Sequence, residues 1–160
     1  MPNWCECELD ISGDEESIEK FRKFAKTKET LLDFNKFVPY PKHFADADKK
    51  AKEFKGDWKD KPKDGFNQGG YDWRLENWGT KWNASDVAEG GGRNGDFGYE
   101  FKCAWSPCCP VVLAMSKKFP DLVFMLRYFE MGMRINGLYV CKNGEVVTDA
   151  SGDYFGHRGG

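Results

Sequence analysis

Two tryptophans bracket a glycine, a hydroxyl and a cation in the segment Asn77-Trp78-Gly79-Thr80-Lys81-Trp82, and an amide precedes them. Packing asks only for apolar volume. This stretch adds hydrogen-bonding groups and a positive charge beside two π faces. Such a set can hold a planar or anionic ligand by stacking and charge-assisted hydrogen bonds. The alternative is a turn whose Asn77 and Thr80 cap neighbouring backbone while both indoles dock on a sheet. Trp73, Trp105, Arg74, Lys102 and Arg127 offer further rings and cations, and Glu130 a further acceptor. The candidate ligand site is therefore Asn77, Trp78, Thr80, Lys81 and Trp82 with Trp73, Arg74, Trp105, Arg127 and Glu130.

Other chemistries are less well supplied. A serine or cysteine nucleophile needs an imidazole nearby. The two histidines are His43, in a lysine-rich helical stretch, and His157, near the end of the chain, and both read as surface residues. Gly90-Gly91-Gly92 is not followed by the Lys-Ser or Lys-Thr of a phosphate-binding loop. Any two of the 26 acids could form a catalytic pair, and nothing selects one. No catalytic residue is assigned, and the balance leans away from an enzyme.

Six cysteines invite a metal or disulfide reading. Cys5 and Cys7 are two apart, Cys108 and Cys109 are adjacent, and no C-x-x-C occurs. Structural zinc uses closer-matched pairs or spaced histidines. Reduced, mostly buried thiols are expected, with no metal and no cofactor. Cys5 or Cys7 would approach Cys103 if the first and third strands of a sheet are neighbours.

Positioning these residues falls to the whole chain. Its 160 residues suit one domain able to bury roughly 70% of its unfolded surface. Charged residues make up 31% and aromatics 16%, so the core is expected to be built from large rings. The net charge of −2 provides no global field for nucleic acid, although residues 41–64 hold eight lysines against six acids. The opening Met1-Pro2-Asn3-Trp4 leads into no apolar leader, and no run approaches the ~20 residues of a membrane span. A cytoplasmic protein of a bacterial host, without membrane contact, is expected.

Residues 3–11 alternate, with Cys5, Cys7, Leu9 and Ile11 on one face, which predicts a strand. Ser12 to Glu15 opens a helix in the capping-box pattern, with Ile18, Phe21, Phe24 and Ala25 as its apolar stripe. A second strand is expected over 31–37, stopped by Pro39 and Pro41. A helix over 42–55, a loop over 59–70 and a short helix from Tyr71 to Trp78 follow, with Gly79 as its left-handed end. Lys81 to Val87 reads as a strand and Gly90, Gly91, Gly92 and Gly95 as a flexible turn. Phe97 to Trp105 alternates strongly. A helix begins at Ser106-Pro107 or Cys109-Pro110 and stops at Pro120. Strands follow over 122–129 and 133–141, and Asn143-Gly144 turns into a strand at 145–148. The tail from Ser151 reads as loose. The order predicts an α+β, ferredoxin-like two-layer sandwich: an antiparallel sheet with helices on one face, and a Trp-rich insertion at about 42–94 between two β-α-β halves.

Several segments together resemble a known family. They are Met1-Pro2-Asn3-Trp4-Cys5, Phe34-Asn35 before Pro39 and Pro41, and Tyr71-Asp72-Trp73 leading to the Asn77–Trp82 segment. Ala104-Trp105-Ser106-Pro107 and the run from Phe119-Pro120 through Tyr128 and Glu130 to Gly132 complete the set. The chain resembles, over about residues 1–140, the YubB-like family with a ferredoxin-like domain, found on plasmids and phages. One departure is Cys7, where the family usually places Asn. The resemblance implies the fold and a mobile-element setting, and brings no catalytic residues. A non-enzymatic binding module is the expected function, acting on a host protein or small molecule as a counter-defence factor. Single-stranded nucleic-acid or nucleotide binding through exposed aromatics is the alternative, and an enzyme of unrecognised type the third.

Overall fold

The computed structural model describes residues 1–90 and 96–153. Its elements are β1 (Trp4–Ser12), α1 (Glu15–Ala25), α2 (Lys42–Glu53), α3 (Gly70–Trp78), β2 (Ser85–Gly90), β3 (Phe97–Ala104), α4 (Cys109–Lys118), β4 (Val123–Glu130), β5 (Ile135–Lys142) and β6 (Glu145–Asp153). The strands form one sheet in the order β2-β3-β1-β4-β5-β6, with every neighbouring pair antiparallel. The first four strands make the ferredoxin-like core. Two split β-α-β units interlock, since β3 lies between β1 and β2, and β1 lies between β3 and β4. The β5–β6 hairpin, turned at Asn143-Gly144, extends the sheet beyond β4.

The alternation of β1 explains the layers. Cys5, Cys7, Leu9 and Ile11 are all buried beneath the helices, while Trp4, Glu6, Glu8 and Asp10 point to the other face. Ile18, Phe21 and Ala25 of α1 and Val111, Val112 and Met115 of α4 complete the core. The Asp14 carboxylate accepts the Ser17 N–H at 2.9 Å and starts α1, and the second of the two expected starts, Cys109-Pro110, begins α4. All six thiols are free, and five are buried. Cys5 sits opposite Cys103 across β1 and β3. The Cys7 thiol donates to the Cys5 carbonyl at 3.7 Å, and burial, with the Cys103 thiol nearby, pushes the Cys7 and Cys108 thiols well above their ordinary value.

The expected strand at 31–37 does not form. Residues 34–36 make a single 3₁₀ turn instead. Asp33 accepts the Asn35 N–H at 2.9 Å, and Asn83 accepts the Phe34 N–H at 2.9 Å. Side chains thus satisfy backbone groups that a strand would have paired, while Leu32 and Phe34 still plug the core. The second strand of the ferredoxin-like core is β2, which starts at Ser85 rather than Lys81, and the segment joining α1 to it carries α2 and α3. At the other end, β6 continues to Asp153, past the expected loose tail start at Ser151. Of the glycine turn, Gly90 closes β2 and Gly91, Gly92 and Gly95 lie outside the described residues, as does His157. Among the described residues no helix is long and apolar enough to cross a membrane.

Candidate functional site: an indole and lysine cluster at the end of the sheet

The Asn77–Trp82 segment divides into an anchor and a display. Gly79 ends α3 with φ 77°, and its N–H donates to the Leu75 carbonyl at 3.1 Å. The chain then docks on the loop after β3. The Thr80 hydroxyl, fully buried, donates to the Ala104 carbonyl at 2.9 Å, and the Ser106 hydroxyl donates to the Gly79 carbonyl at 2.5 Å. A Cβ on Gly79 would stand 2.6 Å from the Pro107 carbonyl oxygen. The segments 77–82 and 104–107 are therefore one structural unit, although they lie more than twenty residues apart.

Trp78 belongs to the anchor. It is 2% exposed, and its indole N–H donates to the Val38 carbonyl at 2.8 Å. Asn77 donates its amide to the Trp73 carbonyl, one turn back in α3. Trp73 packs edge-on against Trp78 and Tyr40. Arg74 lies among these rings, its guanidinium carbon 4.1 Å from the Tyr40 centroid, 5.2 Å from Phe66 and 5.3 Å from Trp78. It also faces Asp48 at 3.8 Å and donates to the Lys81 carbonyl at 3.3 Å. This cation ties α2, α3 and the following turn together.

The display consists of Lys81, Trp82 and Trp105. The Lys81 ammonium lies 4.3 Å from the Trp82 centroid and 6.0 Å from that of Trp105. Trp82 is 37% exposed and Trp105 41%. Trp4, from the start of β1, joins them with its ring 6.1 Å from Trp82. Trp4 is not among the residues the sequence singles out for the site; its position on the β1 face opposite Cys5 is the signal that finds it. Trp105 has φ 73°, a left-handed conformation that a bulky residue rarely adopts. Its N–H donates to the Asn3 carbonyl at 2.9 Å, which extends the β1–β3 ladder to this point. Next to Trp4 opens a groove of about 390 Å³, walled by Pro2, Asn3, Glu6, Phe129 and Met131.

The remaining predicted residues lie apart from this cluster. Arg127 is on the same sheet face as Trp4, roughly 13 Å along the strand from it. There it donates to Asp10 at 2.8 Å and faces Glu8 at 3.5 Å. Lys102 pairs with Asp86 at 2.9 Å. Glu130 is buried, and its two oxygens accept the Gly132 N–H at 2.9 Å and the Met133 N–H at 2.5 Å. It closes the β4–β5 turn that forms one wall of the groove.

The strand order and the single layer of core helices define a ferredoxin-like α+β domain. Residues 77–157 match the family model described as a ferredoxin-like domain in Api92-like protein, and the chain belongs to that family. The match begins at Asn77 and takes in both docked segments. The crystal structure of Api92 from Yersinia pseudotuberculosis superimposes with a TM-score of 0.59 at 12% identity, over 98% of this chain and 99% of that one. At that identity the likeness is one of fold. Among curated proteins none matches.

Proposed function

We propose that the protein is a binding module without a catalytic step of its own, and that Trp4, Lys81, Trp82 and Trp105 form its recognition surface. The observation that carries this reading is Trp105. A left-handed backbone position suits glycine, and an L-residue there costs roughly 1–2 kcal/mol. The indole placed there is 41% exposed beside a lysine and a second exposed indole. Tryptophan is a frequent anchor of interfaces, and strained residues with exposed rings cluster at binding surfaces. The occupant is a host protein or small molecule presenting a planar or apolar group to the indoles and an anionic group to Lys81.

The setting belongs to the same proposal. The YubB-like resemblance supports carriage by a plasmid or phage, and a mobile element gains from a counter-defence factor that acts by capture alone. The test is native mass spectrometry of protein purified from a bacterial host, beside a Trp82→Ala, Trp105→Gly double variant. A ligand or host protein retained by the natural sequence and lost from the folded variant supports the reading. Equal retention by both removes this surface from the proposal.

A further inference from the structure

A second surface, separate from the indole cluster, carries an inference of its own. Trp58 is 79% exposed, far more than Trp82 or Trp105. It sits in the 3₁₀ turn Trp58–Asp60, where Asp57 accepts the Lys59 N–H at 3.1 Å and fixes the turn. The stretch from residue 49 to 63 holds seven lysines and three carboxylates, a net of +4 in a chain whose total is −2. Every one of those lysines is exposed. One carboxylate, Glu53, is already paired with Lys49 at 3.9 Å. The Lys59 ammonium lies 6.0 Å from the Trp58 ring. The chain is net acidic elsewhere, so this lysine-rich stretch carries in its sequence the most exposed aromatic ring among the described residues.

We infer that the Trp58 turn binds single-stranded nucleic acid, with a base stacked on the Trp58 indole and the neighbouring phosphates held by Lys55, Lys59 and Lys61. Charge complementarity selects a polyanion, and the lone ring selects one with exposed planar groups. Stacking on an aromatic beside a basic track is how single strands are held without sequence preference. A membrane surface fits less well. Sinking the indole into headgroups would carry Asp57 and Asp60 into an anionic interface, and no second exposed large apolar side chain between residues 49 and 63 adds insertion area.

The test is fluorescence anisotropy of a labelled oligothymidylate of about 20 nucleotides at low salt, with natural protein, Trp58→Ala and Trp58→Phe. The natural protein is expected to bind, and affinity should fall with salt at a log–log slope of about −2, as three phosphate contacts on a single strand require. Trp58→Ala should weaken binding about tenfold, and Trp58→Phe should retain most of it. Trp58 is exposed and outside the core cluster, so both variants should keep the natural circular dichroism spectrum. Absence of binding at low salt overturns the inference, as does binding indifferent to Trp58→Ala. Trp58-dependent sedimentation with phosphatidylserine vesicles, and none with the oligonucleotide, would also overturn it and assign the turn to a membrane surface. None of these outcomes touches the Trp82–Trp105 surface, which the double variant tests separately.

Discussion

Alanine at Gly79 adds one methyl group at the joint between the two docked segments. Three costs follow from its position. The left-handed φ of 77° penalises any Cβ by roughly 1–2 kcal/mol. The new methyl would lie 2.6 Å from the Pro107 carbonyl oxygen and 2.8 Å from Pro110 Cδ, so backbone must shift, and overpacking of this kind costs about 1–3 kcal/mol. Moving the turn away strains the Thr80–Ala104 and Ser106–Gly79 hydrogen bonds, each worth about 1 kcal/mol. The loss of unfolded-chain freedom returns roughly 0.4–1 kcal/mol. A net destabilisation of about 3 kcal/mol is expected. Urea unfolding followed by far-UV circular dichroism reads it as a midpoint lowered by about 1.5 M, for an m-value near 2 kcal/mol/M. Gly152→Ala is the control, because its Cβ meets only Asn136 Oδ1 at 3.6 Å. If Gly79→Ala unfolds within half a kcal/mol of the natural protein, in the manner expected of the control, the docking of 77–82 on 104–107 is wrongly described.

Arg74→Met keeps the volume of the side chain and removes its charge from among three rings; about 2 kcal/mol of stability should go, measured by the same urea titration. At position 105 glycine should be the more stable replacement, with Trp105→Gly exceeding Trp105→Ala by about 1 kcal/mol; the reverse order would contradict the left-handed backbone. Arg22 holds the Glu89 carboxyl below its ordinary value of 4.5 through two hydrogen bonds. A lowered folded-state pKa gives stability that is complete above 4.5 and is lost as pH falls through the folded value, so Glu89→Gln should flatten part of the acid limb of a stability–pH curve. Maleimide labelling of the native protein should reach Cys109, the half-buried thiol, ahead of the five buried ones, with all six reacting in denaturant.

The sheet was legible because β1 and β3 alternate cleanly, and proline and glycine mark both ends of α4 and the β5–β6 turn. The second strand of the core was misplaced for a physical reason. Leu32 and Phe34 are spaced like strand residues and are buried like them, yet Asp33, Asn35 and Asn83 hold the backbone with side-chain hydrogen bonds. A partner at Asn83, about fifty residues on, leaves no local trace. The candidate site was half legible. Lys81, Trp82 and Trp105 do come together, but composition could not tell that Trp78, Thr80 and Glu130 would be spent on the core and on backbone groups. The alternation of β1 did set Trp4 on the face opposite Cys5, Cys7, Leu9 and Ile11, and that is the signal that places it in the site.

Whether the exposed indoles at the end of the sheet form a recognition surface is decided by one comparison. The natural protein and the Trp82→Ala, Trp105→Gly variant, each shown folded by circular dichroism, are expressed in the same bacterial host and examined by native mass spectrometry. A recognition surface requires a bound mass, small molecule or protein, on the natural chain that is missing from the variant. The same bound mass on both, in equal proportion, would contradict it.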